Sequence, residues 1–126
     1  MKANELMIGD WVQYPATMGN LVPCKVVGIS TEITVEFTTG ARKYEALKVA
    51  QPIPLTSEIL EKNEFRNSLD EWHLFKGCLQ TNFTLKSYDD TNEVLLPLFN
   101  GNMQIIYVHE LQHALRLCGI EKEIIL

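Results

Sequence analysis

The sequence has no long apolar run. A transmembrane helix needs roughly 20 consecutive apolar residues, and no stretch of this 126-residue chain approaches that length. The opening MKANELMIGDWV has one lysine followed by an acidic residue, without the apolar core of a secretory signal. We therefore expect a cytoplasmic protein that does not associate with membranes.

Positive charge is also in short supply. The chain carries 11 Lys and Arg against 16 Asp and Glu, for a net charge of −5. Nucleic-acid binding is driven by neutralising phosphates with Lys and Arg, so general nucleic-acid binding is not expected. The one basic cluster, Arg42-Lys43 with Lys48 nearby, is compatible with a local anion site and also with a solvated strand edge.

Paired cysteines and several familiar catalytic motifs are missing. Cys24, Cys78 and Cys118 are odd in number, far apart and without a C-x-x-C pair, which predicts reduced and mostly buried thiols. The chain has no P-loop, no dinucleotide fingerprint and no G-x-S-x-G elbow. Phosphate, dinucleotide and serine-hydrolase chemistry therefore have no sequence signature here.

What the first fifty residues do contain is a β pattern. In ITVEFTT, residues 33–39, Ile33, Val35 and Phe37 fall on one face, which is the period of a half-buried strand. The first predicted strand starts at Trp11. Further strands are predicted at 24–29, 33–39 and 42–47. Several short strands in so little chain predict a small SH3-like β-barrel lobe over residues 1–50.

The prolines of VAQPIPLT, residues 49–56, mark the best internal boundary. Beyond it, Thr56 or Ser57 can cap a short helix that Asn63 ends. A last helix is predicted from Val108 to Cys118, with Gly119 as its stop. Four strands are predicted between the two helices, at 71–78, 83–88, 94–99 and 103–107.

Turn signals connect these four strands. An acidic turn lies at 89–93, and Asn100-Gly101 is a strong hairpin signal. Pro97 is expected where its missing N–H faces no partner, and the tail EKEIIL is expected to add an edge strand. The prediction is an α+β protein, with the barrel-like lobe beside an antiparallel meander over 51–126 flanked by two helices. One compact domain is compatible with the same pattern.

The segment VHELQH, residues 108–113, contains His-Glu-x-x-His. On a helix this spacing can present His109 and His113 to a zinc ion, with Glu110 as general base. A helical wheel, however, puts Val108, Leu111 and Leu115 on an apolar stripe and both histidines on the opposite side. We interpret that side as solvated, so the leading prediction has no metal and no catalytic residue. A zinc hydrolase is the alternative.

Large aromatic and basic side chains suggest a second kind of site. We predict a ligand pocket or interface between the two lobes, because such junctions commonly hold ligands. Its predicted lining is Trp11, Tyr14, Arg42, Lys43 and Trp72.

Three stretches carry a resemblance: NELMIGDWV at 4–12, PIPLTSEILEKNEF at 52–65 and IIYVHELQHALRLCGIEKEI at 105–124. They resemble a group of small uncharacterised proteins carried by phages and mobile elements of gut anaerobic bacteria. The resemblance implies an accessory protein in the bacterial cytoplasm.

Together these observations favour a non-enzymatic accessory binding protein that holds a host protein or a small ligand such as a nucleotide. A homo-oligomer is compatible with this hypothesis. No cofactor is expected unless the protein is the zinc hydrolase of the alternative. A minor structural component of a phage particle is the third hypothesis.

Overall fold

The computed structural model describes residues 1–87, 94–98 and 101–126, without the side chains of Thr17 and Leu98. The chain divides into two compact units, Met1–Ile53 and Pro54–Leu126. The described residues form two antiparallel five-stranded sheets and two α-helices, so the predicted α+β class is confirmed. Within the described residues, neither helix is long and apolar enough to cross a bilayer.

The N-terminal unit is one sheet with the strand order β4-β3-β2-β1-β5. Its strands are β1 Trp11–Pro15, β2 Leu21–Ile29, β3 Ile33–Phe37, β4 Arg42–Lys43 and β5 Gln51–Pro52. Ile33 and Val35 are fully buried and Phe37 packs against the same core, which confirms the predicted alternation in β3. The strand predicted across 42–47 ends after Lys43, because Glu45 adopts a positive φ of 53° and turns the chain.

Helix α1, Ser57–Lys62, opens the C-terminal unit. The Thr56 hydroxyl accepts a hydrogen bond from the Ile59 amide at 3.2 Å, and Asn63 is the C-terminal cap. Both predicted ends of the helix are therefore confirmed. Side-chain capping of this kind satisfies amides that the first helical turn leaves without a backbone partner.

The second sheet is an antiparallel meander with the strand order β10-β9-β8-β7-β6. Its strands are β6 Phe65–Ser68, β7 Glu71–Lys76, β8 Leu79–Ser87, β9 Val94–Leu98 and β10 Gly101–Ile105. The pattern missed β6, because the turn into β7 begins with Leu69 at a φ of 58° and leucine is not a turn signal. The predicted turn at 89–93 and the Asn100 half of the Asn100-Gly101 turn lie outside the described residues.

Helix α2, Val108–Leu117, follows the meander and ends in a Schellman motif. The Gly119 amide donates to the Arg116 carbonyl at 3.0 Å and the Ile120 amide donates to the Leu115 carbonyl at 2.9 Å. Gly119 has a φ of 73°, a conformation that glycine adopts without a Cβ penalty. The predicted stop at Gly119 is confirmed, and the motif fixes where Ile120 leaves the helix.

The tail after α2 is not the predicted edge strand. The Asn63 side chain takes the place of a pairing strand: its Nδ2 donates to the Ile125 carbonyl at 2.6 Å and its Oδ1 accepts from the Ile125 amide at 2.7 Å. Ile124 is buried beside this contact. The Asn63 side chain therefore forms the two hydrogen bonds with the Ile125 backbone that a neighbouring strand would otherwise form.

We expect Asn63→Ala to lower the free energy of unfolding by about 3 kcal/mol, because the buried Asn63 makes both tail bonds and a third to the Ile59 carbonyl. Urea unfolding followed by circular dichroism measures this. The control is Asn67→Ala, at an exposed asparagine of β6. Equal losses of unfolding free energy in the two variants would show that the contact between Asn63 and the tail contributes nothing to stability.

Candidate functional site

The described ladder between β8 and β9 ends early, beside a cleft in the C-terminal unit. The described register pairs Ser87 with Val94 and Lys86 with Leu95, and goes no further. Continued by two residues, the same register would set Thr84 opposite Pro97. Proline has no N–H to donate, so Pro97 lies at the place where the ladder stops, as expected for this residue.

We call the resulting space the Pro97 cleft. It has a volume of about 600 Å³, within the range of ordinary ligand sites. Its lining comes from three separate parts of the C-terminal unit: Thr81, Asn82, Phe83, Thr84, Leu96, Pro97, Cys118 and Ile120. None of these lining residues is charged. Phe83 and Leu96 are buried and give the cleft an apolar wall.

Strand β8 bulges beside the cleft. The β7–β8 register passes from His73↔Thr84 to Phe75↔Gln80, so three residues of β8 oppose the single residue Leu74. The Thr81 hydroxyl stabilises this irregularity by donating to the Leu74 carbonyl at 2.9 Å and accepting from the Phe83 amide at 3.2 Å. Bulges of this kind bend a strand and re-aim its side chains, which helps to shape the cleft wall.

The Schellman turn after α2 forms the other side of the Pro97 cleft. A second cavity, also about 600 Å³, shares Thr81 and Ile120 with the Pro97 cleft. Its lining includes Glu64 and Lys122, whose side chains form an ion pair at 3.5 Å. Ile120, which follows the Gly119 turn, therefore lines both cavities.

The inner strands β7 and β8 of the same sheet carry a polar network around His73. The His73 Nδ1 lies 2.9 Å from Gln80 Nε2 and 3.3 Å from Thr84 Oγ1. Its Nε2 lies 3.5 Å from the Glu71 carboxylate. Partners on both ring nitrogens hold the imidazole in place, which identifies His73 as a structural residue of the β7–β8 pair.

The histidines of VHELQH are not on a solvated face, which corrects the helical-wheel interpretation. His109 is only 6% exposed and stacks in parallel on Tyr107 with ring centroids 5.8 Å apart. His113 meets it edge-on at 5.7 Å and is partly buried. The wheel fixed the directions of these side chains but could not show what covers them.

Glu110 has a structural role in the same helix. Its Oε1 accepts hydrogen bonds from the amides of Ile106 at 3.0 Å and Tyr107 at 2.9 Å. This is the glutamate half of a capping box, which satisfies amides at a helix start. In the part of the chain that the structure describes, no group of three or more His, Cys, Asp or Glu residues is arranged to hold a metal ion.

The five residues predicted to line a ligand site lie on different elements. Trp72 is buried in β7. In the N-terminal unit, Tyr14 packs edge-on against Phe37 at 5.7 Å, and Lys25 Nζ lies 4.9 Å from the Trp11 ring centroid. These contacts place Tyr14 with the core of its unit and Trp72 with the core of the other.

Arg42 and Lys43 form the short exposed strand β4. The Arg42 Nε donates to the Glu36 carboxylate at 2.7 Å. This hydrogen bond and the attraction between the charges raise the pKa of the guanidinium. The pair is a charged edge of the kind that discourages strand addition.

The cysteines differ from the expectation of mostly buried thiols. Cys24 is buried, whereas Cys78 and Cys118 are exposed. Burial raises the pKa of the Cys24 thiol to about 11. Cys78 is exposed because it forms the β7–β8 turn with Gly77, and Cys118 because it caps α2.

The sequence contained one usable signal for the cleft, namely a proline inside the apolar run VLLPLF. That signal marks a broken ladder but does not identify the partner strand. Cys118 and Ile120 lie far from it in sequence, so their part in the site required the fold.

We expect Glu110→Ala to destabilise the protein by about 1 kcal/mol, since two amides lose their acceptor. Glu110→Gln should cost less, because the amide oxygen can still accept. Urea unfolding measures both, with Glu61→Ala on the exposed side of α1 as the control. An alanine variant as stable as the parent would contradict the capping role.

A disulfide reagent such as dithionitrobenzoate should label Cys78 and Cys118 within the native protein. Cys24 should react only after unfolding, because its thiolate is disfavoured by burial. Mass spectrometry of the labelled peptides distinguishes the three positions. Labelling of native Cys24 at the rate of Cys78 would contradict the buried assignment.

Comparison with known proteins adds no further identification. No protein-family model, no curated protein and no solved structure matches this chain. The functional proposal therefore rests on the geometry of the Pro97 cleft and the chemistry of the residues that line it.

Proposed function

We propose that this chain is a non-enzymatic binding protein that holds a partner protein in the Pro97 cleft. The observation that carries the proposal is a cleft of about 600 Å³ with an apolar wall, which lies beside the end of the β8–β9 ladder. Apolar walls with a few polar groups around them are typical of binding sites.

The lining favours a protein partner over a nucleotide. A phosphate group is normally bound by Arg, Lys or a row of backbone amides at a helix start. The residues that the structure describes around the cleft include no cation, and the nearest helix, α2, turns its C-terminal end toward it through Cys118. An uncharged side chain fits this environment better than a phosphate, because a buried charge needs a partner.

The lining also favours binding over catalysis. Acid–base catalysis needs a titratable group within hydrogen-bond reach of the substrate. Among the described lining residues, Cys118 alone titrates. The zinc-hydrolase alternative has less support, because the Glu110 carboxylate that would be its base is bonded to two backbone amides. No observation specifically favours the third hypothesis, a structural phage component.

The remaining parts of the proposal concern fold and setting. We propose that the N-terminal unit is related to SH3-like barrels; its antiparallel strand order β5-β1-β2-β3-β4, in which the fifth strand returns to the first, supports this. From the resemblance, we place the protein in the cytoplasm of a gut anaerobic bacterium as an accessory protein encoded by a phage or mobile element. The partner is then a host protein.

Ile120→Arg tests the function by putting a charge into the neutral cleft. Leu117→Arg is the matched control, because Leu117 is 68% exposed on α2 and does not line the cleft. The tagged full chain and both variants are expressed in a gut anaerobic bacterium, and stoichiometric co-purified proteins are identified. We expect one partner with the parent and with Leu117→Arg, and at least about a tenfold lower yield with Ile120→Arg, equivalent to about 1.4 kcal/mol.

Circular dichroism must show that Ile120→Arg is folded before the yields are compared. If all three proteins retained the partner equally, the partner would bind outside the Pro97 cleft. Absence of any stoichiometric partner for the parent would count against a binding function.

A further inference from the structure

Strand β10 is the last strand of the C-terminal sheet, and its outer edge is only half covered. Within the described residues, β10 pairs with β9 alone. Just beyond its end, Pro54 forms an isolated antiparallel bridge with Tyr107. The Leu55 amide donates to the Ile106 carbonyl at 2.9 Å, after which the chain enters α1 and leaves the edge. A short extended segment of this chain therefore covers one end of the edge, and residues 101–104 lie beyond it.

Two observations give the direction of the backbone groups in β10. Asn102 lies opposite Pro97, and proline has no N–H to exchange, so the N–H and C=O of Asn102 point away from β9. These groups alternate in direction along a strand, so Gln104 and Ile106 direct theirs to the same side as Asn102. The bond from Leu55 to the Ile106 carbonyl agrees with this direction.

The outward backbone groups at the uncovered end of the edge are accessible. Gly101, Asn102 and Gln104 are exposed. Among the described residues, no backbone hydrogen bond on this side of β10 joins Asn102 or Gln104 to another residue. Two donors and two acceptors, spaced two residues apart along an extended strand, therefore face outward.

This edge also lacks the protection that the other sheet edges carry. Sheet edges are commonly guarded by charge or proline. The other three edge strands of the two sheets have Arg42 and Lys43 in β4, Pro52 in β5 and Arg66 in β6. Strand β10, with the sequence GNMQI, has neither charge nor proline.

We propose that residues 101–104 bind an extended, uncharged segment of another protein, which pairs with the N–H and C=O of Asn102 and Gln104. The bound segment continues the line along β10 in which Pro54 and Leu55 already lie, and these two residues are themselves extended and uncharged. Backbone hydrogen bonds supply the affinity in this mode of recognition. None of residues 101–104 lines the Pro97 cleft, so this is a second surface, beyond the proposed function.

A second copy of this chain fits the edge less well than a free segment. If Asn102 paired with Gln104 of the copy, Gly101 would lie opposite Ile105 of the copy. The extended Thr56 of the copy, which follows Leu55 along that edge, runs beside the same position. A free segment can turn away at this point, whereas Gly101 is fixed in β10 by its pairing with β9.

Amide hydrogen exchange of the free full chain, followed by NMR, tests whether the edge is open. Met103 lies between the two outward residues and directs its amide toward β9, so it is the control within the same strand. We expect the Asn102 and Gln104 amides to exchange at least about tenfold faster than the Met103 amide. Similar rates at all three positions would show that the edge is already covered and would overturn the proposal.

The probe for the bound segment is an acetylated and amidated hexapeptide of three Thr-Val repeats. At twice its dissociation constant, it should slow exchange at Asn102 and Gln104 about threefold and leave Met103 unchanged. N-methylation of its two central residues, whose N–H groups point to opposite sides of the peptide, should abolish the effect. No slowing by the unmodified peptide, or equal slowing by the methylated one, would contradict pairing through the backbone.

Gln104→Pro removes an outward N–H without removing a bond to β9, a position that proline tolerates in an edge strand. It should abolish the slowing at Asn102. Asn67→Pro in β6 is the matched control and should retain the slowing. The Asn67 amide also points away from its neighbouring strand, because Glu64, three residues earlier, accepts from the Phe75 amide of β7. Circular dichroism checks folding, and Asn102→Pro with slowing read at Gln104 replaces Gln104→Pro if that variant is unfolded.

Peptide slowing that survives in a folded proline variant of β10 would overturn the proposal. So would a dimer of the parent, seen by sedimentation, that Gln104→Pro dissociates, because the edge would then bind a second copy. The yields with Ile120→Arg report on the Pro97 cleft and the exchange rates report on β10, so a failure of one proposal is distinguishable from a failure of the other.

Discussion

An antiparallel strand pair is held by two hydrogen bonds at every second residue, and Pro97 can contribute only one of them opposite Thr84. Because the missing bond lies in the middle of the meander, the β8–β9 ladder is short while each strand keeps its partner on the other side. The sheet therefore stays continuous although one of its ladders stops early.

Hydrogen bonds and a turn position the residues that line the Pro97 cleft. Thr81 stabilises the bulge on one side through its bonds to Leu74 and Phe83. On the other side, Gly119 turns the chain so that Ile120 leaves α2 at a fixed angle. Asn63 then anchors the end of the tail. Polar groups bonded to the backbone thus flank the apolar wall, and leaving any of them unsatisfied would cost stability.

The His-Glu-x-x-His segment shows how a motif depends on what lies around it. Its spacing brings His109 and His113 within ring contact, as a zinc site would require. Yet His109 is stacked on Tyr107, and Glu110 binds the amides that precede the helix. The residues of the motif therefore serve other contacts: His109 and His113 meet at i, i+4, while Glu110 caps Tyr107 at i, i+3.

Features set by neighbours in sequence could be predicted: the alternation in β3, the Thr56 cap, the Asn63 and Gly119 stops and the apolar stripe of α2. Each depends on bonds or periodicity within a few residues. The tertiary structure alone decided that β6 exists, that His109 is buried, that the tail pairs with a side chain and that Pro97 and Thr84 line one cleft. These depend on which distant segments meet, and the lining of the cleft comes from three such segments. A sequence pattern specifies the direction of a side chain, but its neighbours are chosen by the packing of the whole unit.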